Sequence, residues 1–274
     1  MAKPVDYAST WLYRVLYTSL YPLLVTWFDW TVQGHEHLPK DTSTKILFVG
    51  YHTTHNWDVL MMAMAIKDAL GEPPVGLMHS AYVALSPWVS YLGGVEGTRA
   101  NAADAYQRGH RACLVLPGGV EEAVAGFENA YTVNWKSASG RDRTGFAEVV
   151  LQAGGVIVPV VVQNAQEMCF SPVFFLSNVS GLSRVYDTLM TLPLGIGWFL
   201  WQLKQVLWLL FSFGSSIPLP VKATLKFGPP LQPLQHESAA AFAHRVASSY
   251  AAMLATEQPG GLNYTRALQA RFGR

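Results

Sequence analysis

The chain has 274 residues, half of them hydrophobic, with 14% charged and a net charge of +1. Soluble domains average about 25% charged residues, so the surface is expected to be unusually apolar, and the near-zero balance gives no electrostatic footing for nucleic acid. Only two cysteines, Cys113 and Cys169, are present, both in apolar contexts, which points to buried thiols and away from a disulfide framework.

Residues 11–32 are almost wholly apolar and aromatic, with no charge between Arg14 and Asp29 and with Pro22 inside. That is shorter than the roughly 20 residues of a full span, and no small-residue cleavage site follows. Residues 1–34 are expected to form an N-terminal membrane-anchoring or interfacial helix, the alternative being an ordinary buried helix. Residues 35–274 are expected to form one further domain, which carries the candidate chemistry taken up below. Strands are predicted at 46–50, 75–78, 112–116 and 156–162, and helices at 57–70, 101–109 and 144–153, the last ended by Gly154-Gly155. A second apolar block follows, in which Lys204 is the only charge from Thr188 to Val221. Within it, Leu192 to Phe213 carries Trp198, Trp201 and Trp208, opened by Pro193 and closed by Gly214 and Pro218. A membrane-associated helix at about 188–213 is expected here, with Lys204 able to snorkel. A strand at 222–227 and a packing helix over 237–257, with Phe242, Val246, Tyr250, Met253 and Leu254 on one face, complete the chain. The fold class is α/β: a mixed, mostly parallel sheet flanked by helices, with N-terminal and internal membrane-associated hydrophobic helices.

The chemistry concentrates in Tyr51-His52-Thr53-Thr54-His55-Asn56-Trp57-Asp58, a polar turn between a predicted strand and a predicted helix. A carboxylate there can hold an imidazole in one tautomer, leaving the other ring nitrogen as a base for a hydroxyl. His52 and Asp58 are the candidate catalytic pair, and no serine or cysteine nucleophile is needed if the hydroxyl belongs to the substrate. Three further segments close predicted strands, where open α/β sheets build their sites: Gly93-Gly94-Val95-Glu96-Gly97-Thr98-Arg99, Leu116-Pro117-Gly118-Gly119-Val120-Glu121-Glu122-Ala123, and Val158-Pro159-Val160-Val161-Val162-Gln163-Asn164.

These four blocks in this order resemble the glycerolipid acyltransferase superfamily over about residues 45–165. The resemblance is closest to the transmembrane protein 68-like branch related to diacylglycerol acyltransferases, through Pro117-Gly118-Gly119-Val120 with Glu122-Ala123, Thr144-Gly145-Phe146-Ala147 and Val158-Pro159. It implies a membrane-bound enzyme that moves a fatty acyl group from acyl coenzyme A to a glycerolipid hydroxyl, with no metal or redox cofactor. His52 would act as general base and Asp58 would orient its Nδ1–H. Arg99, Pro117, Gly118, Gly119, Glu121 and Arg143 would bind substrate, the Gly118-Gly119 amides serving as oxyanion donors. The chain departs from the general pattern twice. Five residues separate His52 from Asp58 instead of four, and the third block has Gly118 where the family has Glu and Glu121 where it has Arg.

The resemblance implies that the arginine at this position helps hold the acceptor phosphate in phosphate-acceptor members, so an acid there argues for a neutral acceptor, a monoacylglycerol or diacylglycerol, as in triacylglycerol biosynthesis. A phosphate about 4 Å from an unpaired carboxylate would meet a repulsion on the order of 4 kcal/mol at an effective dielectric of 20. A lysophosphatidic acid acceptor and a catalytically silent lipid-binding protein are the alternatives. A serine hydrolase is disfavoured because no Gly-x-Ser-x-Gly elbow occurs. The expected partners are the lipid bilayer, acyl coenzyme A and the glycerolipid, with localisation at the endoplasmic reticulum or a bacterial inner membrane. Blander readings stand beside these: His52 as a backbone-bonded turn residue, His55 as the base, Arg99 paired with Glu96, Gly118-Gly119 as a tight turn, and Lys136, Arg141 and Arg143 as a solvated loop.

Overall fold

A computed structural model describes residues 6–125, 129–137, 139–190, 195–211 and 215–273. The chain opens with α1 (Trp11–Val15) and α2 (Tyr21–Trp27), continuous through a π-helical turn, and then forms β1 (Thr31–Gln33). Next come β2 (Ile46–Gly50), α3 (Trp57–Leu70), β3 (Val75–Met78), α4 (Ser80–Leu85), β4 (Gly94–Glu96), α5 (Arg99–Gln107) and β5 (Ala112–Val115). After α6 (Gly119–Ala123) and α7 (Gly145–Ala153) the chain runs through β6 (Val156–Gln163) and the short β7 (Cys169–Phe170). It then builds α8 (Pro172–Val179), α9 (Leu182–Met190) and α10 (Ile196–Phe211), and closes with β8 (Ile217–Pro218), β9 (Thr224–Phe227), α11 (Ala239–Glu257) and α12 (Tyr264–Phe272).

Seven strands form one sheet in the order β1-β9-β6-β2-β5-β3-β4. From β6 to β4 all neighbours are parallel, whereas β9 runs antiparallel to β6 and pairs in parallel with β1. The mixed, mostly parallel α/β sheet expected from the sequence is therefore present. All of β2 is buried, as the continuous apolar run of a parallel strand covered on both faces requires. Its period-2 alternation divides the core. Ile46 and Phe48 join Met61, Met64, Leu225 and Phe227 on one face, while Leu47 and Val49 join Phe146, Val150, Phe242 and Tyr250 on the other.

The N-terminal segment is part of this body. Tyr13, Tyr21, Leu24, Phe28 and Trp30 are buried in the same core as α3, and the Tyr17 and Tyr21 hydroxyls donate to Asp68 on α3. Its other side leaves Trp11, Val15, Leu23 and Trp27 exposed. The helix expected at about 188–213 is present over its described part as α10, preceded by α8 and α9, with Pro193, Phe213 and Gly214 outside the described residues. Among the described residues, no helix is long and apolar enough to cross a membrane. The three-residue strands β1 and β4 were not foreseen, because three residues carry no readable periodicity.

Tyr250 shows how the outer helix holds the sheet. Its hydroxyl accepts from the Tyr51 N–H at 2.6 Å and donates to the Val160 carbonyl at 3.2 Å, in a fully buried position. Tyr250→Phe leaves the Tyr51 amide without this acceptor, and an unmade buried bond costs about 1–3 kcal/mol. Denaturant unfolding should show a loss of that size. Unchanged stability would mean that the amide finds another acceptor.

Candidate active site

The segment between β2 and α3 is a loop buried at the carboxyl end of the central strand. Buried backbone donors and acceptors must find partners, and here side chains from distant elements supply them. Tyr51 N–H donates to Tyr250, His52 N–H to Glu122 Oε2 at 2.8 Å, and Thr54 N–H to Gln166 Oε1 at 3.1 Å. The Thr54 carbonyl accepts from Trp208 Nε1 at 2.8 Å. Asn56 closes the loop in a left-handed conformation, φ 62°, which asparagine adopts more readily than most residues.

His52 Nδ1 lies 2.9 Å from the Thr53 carbonyl. A carbonyl only accepts, so Nδ1 carries the proton and Nε2 is left as the basic nitrogen. The ring packs edge-on against Trp208, 5.4 Å between centroids. Burial lowers its pKa from 6.5 to about 4, with the Thr53 carbonyl pulling the other way and Arg143 and His79 adding to the drop. The imidazole is therefore neutral, and competent as a base, at physiological pH.

Asp58 does not touch His52. Its carboxylate accepts from the Thr53 hydroxyl at 2.5 Å, in the first turn of α3, where amide dipoles favour an acid. The expectation that Asp58 orients Nδ1–H directly is thus corrected: Thr53 takes both partners, its carbonyl bonding His52 and its hydroxyl bonding Asp58. Desolvation raises the Asp58 pKa to about 7, against the Thr53 hydroxyl and the helix amides, which lower it. His55 is occupied at both nitrogens, donating from Nε2 to the Ala165 carbonyl at 2.8 Å and accepting the Trp57 N–H at 3.1 Å. At 1% exposure it is a structural histidine, and its 3.9 Å separation from Asp58 is too long for a hydrogen bond.

The turn after β5 lies beside His52. Gly119 adopts φ +56°, and a Cβ there would run into the Arg143 guanidinium. Arg143 donates to the Pro117 carbonyl at 2.7 Å and to Glu121 Oε2 at 2.5 Å. Pro117, Gly119 and Glu121 thus gather around the Arg143 guanidinium, whereas Gly118 faces the Glu122 carboxyl. Two expectations change. Glu121 is not an unpaired carboxylate, and the Gly119 N–H is bonded to the Leu116 carbonyl at 2.9 Å, which removes it from the oxyanion donors. Arg99 stands apart, exposed at the start of α5 and paired with Glu148, not with Glu96.

A cavity of about 320 Å³ opens beside His52, within the range of small-molecule sites. Its wall is almost entirely apolar: Leu16 and Leu20, Leu60 and Met64 of α3, Leu77 and Met78 of β3, Val89, Leu92, Leu114 and Trp208. His52, Asn56, His79 and the Gly119 backbone are its polar points. Thr53, Glu122 and Trp208 were missed as site residues in the sequence. Trp208 reads as part of an apolar block, and nothing local marks it as a partner of His52.

No protein-family model and no curated protein matches the chain. Among solved structures, the crystal structure of the 1-acyl-sn-glycerophosphate acyltransferase PlsC from Thermotoga maritima is similar, with 12% identity, 92% of this chain and 86% of that chain covered, and a TM-score of 0.46.

The depressed His52 pKa has a definite sign. The unfolded chain binds the proton near 6.5 and the folded one only near 4, so the stability His52 contributes is complete above pH 6.5 and is lost as pH falls toward about 4. Imidazole ¹⁵N NMR should find His52 neutral, with its proton on Nδ1, throughout that window. A titration midpoint at the ordinary histidine value would contradict a desolvated ring.

Proposed function

We propose that the protein is a membrane-associated acyltransferase, moving a fatty acyl group from acyl coenzyme A to a glycerolipid hydroxyl. One observation carries this reading: a neutral His52, with Nε2 as its basic nitrogen, borders a cavity whose wall is mostly apolar. An acyl chain fits such a wall, whereas a charged small metabolite would lose its hydration there without replacement. His52 Nε2 takes the acceptor hydroxyl proton, and the alkoxide oxygen attacks the thioester carbonyl. The tetrahedral intermediate expels the coenzyme A thiolate, which regains the proton from His52. The Thr53 carbonyl steadies Nδ1–H as the ring becomes cationic, and Asp58 holds Thr53 through its hydroxyl. The narrower kinship with the transmembrane protein 68-like branch rests on the sequence motifs alone.

His52→Ala should lower turnover by about 10²–10⁴-fold, the usual worth of a general base, in a mass-spectrometric assay of ester product. Thr53→Val and Asp58→Asn should lower it less, since both act through the position of His52. Full turnover in His52→Ala would remove His52 from the chemistry.

The acceptor turns on Arg143. With Glu121 paired, the repulsion expected against a phosphate no longer stands, and the pair places a guanidinium over the Gly119 turn. A lysophosphatidic acid could draw on that guanidinium, whereas a monoacylglycerol or diacylglycerol makes no demand on it and leaves the pair intact. Arg143→Ala in a competition among the three acceptors separates them. Selective loss with lysophosphatidic acid identifies a phosphate acceptor, and an equal effect on all three identifies a neutral one.

Lipid substrates imply contact with a bilayer. The exposed faces suit the interface better than a span: Trp11, Leu23 and Trp27 at the N-terminus, Trp88 at the cavity, and Trp198, Phe199 and Leu207 on α10. The protein should float with neutral lipid vesicles in high salt, because screening weakens surface charge but not apolar burial. Release by salt alone would refute insertion of these faces.

A further inference from the structure

Glu122 lies one position beyond the acid that the motif singles out, and it is almost fully buried, at 2% exposure. Two backbone amides from separate parts of the chain end on its two oxygens. The His52 N–H donates to Oε2 at 2.8 Å and the Asn134 N–H donates to Oε1 at 3.0 Å. Both partners are donors, so the side chain must accept at each oxygen. A carboxylate does so, whereas a glutamine would set its NH₂ against one of the two amides. Burial raises the Glu122 pKa to about 8, while the two amides and Arg143 draw it back toward the ionised form.

Gly118 completes the arrangement. Its φ of −63° is open to any residue, so glycine is not required for conformation. Space requires it, since a Cβ at 118 would run into the Glu122 carboxyl. The carboxyl group thus occupies, from the next helical turn, the volume that a side chain at 118 would fill. The Asn134 segment continues into Trp135, whose carbonyl accepts the Arg143 N–H at 3.0 Å. One carboxylate therefore ties the backbone of His52 to the segment that hydrogen-bonds the backbone of Arg143.

We propose that Glu122 is a positioning residue of the site, its two oxygens clamping the His52 amide to the Asn134 segment and so fixing the imidazole at the cavity wall. The role rests on His52 being the base, and Glu122 itself does not line the cavity. Displacements of about 1 Å can lower turnover on the order of 100-fold.

The test uses the full chain in lipid vesicles and compares wild type, Glu122→Gln and Glu122→Ala. In Glu122→Gln, kcat should fall on the order of 100-fold with KM values for donor and acceptor little changed. Imidazole ¹⁵N NMR should show the His52 titration and tautomer altered. Glu122→Ala should show the same two changes. The proposal is overturned if Glu122→Gln keeps wild-type kcat and the wild-type His52 titration. The NMR readout needs no substrate. A changed His52 titration in a protein without transferase activity would uphold the clamp and reject the acyltransferase reading, whereas an active enzyme indifferent to Glu122→Gln would do the reverse.

Discussion

The site depends on satisfying the backbone of a buried loop. Residues 51–55 end the central strand inside the protein, where Thr53 and His55 have almost no exposure, and water cannot complete their hydrogen bonds. Tyr250, Glu122, Gln166 and Trp208 do so instead, from α11, α6, the turn after β6 and α10. Each of these bonds fixes one more degree of freedom in the loop, so the imidazole is placed by the fold as a whole. A loop free in solvent would give the same sequence a histidine with no defined direction.

The same burial sets the electrostatics. Desolvation penalises whichever form is charged, so it lowers His52 to about 4 and raises Asp58 to about 7 and Glu122 to about 8. The Glu121–Arg143 ion pair beside the loop compensates its own charge, and the cavity wall is mostly apolar. Such a site suits an apolar substrate whose reacting groups are neutral in the ground state. It would also make a cation on His52 costly unless the Thr53 carbonyl already faced Nδ1. The preorganised carbonyl matters more here than a direct carboxylate would in a wetter pocket.

The sequence was most legible where the chain repeats a period. The run at 46–50 and the helix at 57–70 appear with the expected bounds, because a buried parallel strand and a long amphipathic helix each leave a pattern. The gathering of Arg143 with the Pro117–Glu121 turn was legible only as two separate basic and glycine-rich segments, since what joins them is a guanidinium lying over Gly119. Thr53 was hidden by the reasoning that found its neighbours. A histidine and an aspartate close in sequence suggest a direct bond, and only the course of the backbone shows a threonine bonded to both. The apolar block around Trp198, Trp201 and Trp208 likewise gives hydrophobicity without direction, and one of these tryptophans faces inward.

That inward tryptophan joins the two halves of the structure. Trp208 is 6% exposed while Trp198, ten residues earlier on the same helix, is 69% exposed, so α10 presents one aromatic face to the site and another outward. The buried indole both donates to the Thr54 carbonyl and packs on the His52 ring. The outward face leaves Trp198 and Phe199 exposed. A helix with both contacts cannot shift on one side without disturbing the other, because the indole hydrogen bond is short and directional. The seating of α10 and the placing of His52 are therefore one packing problem, solved by the same residue.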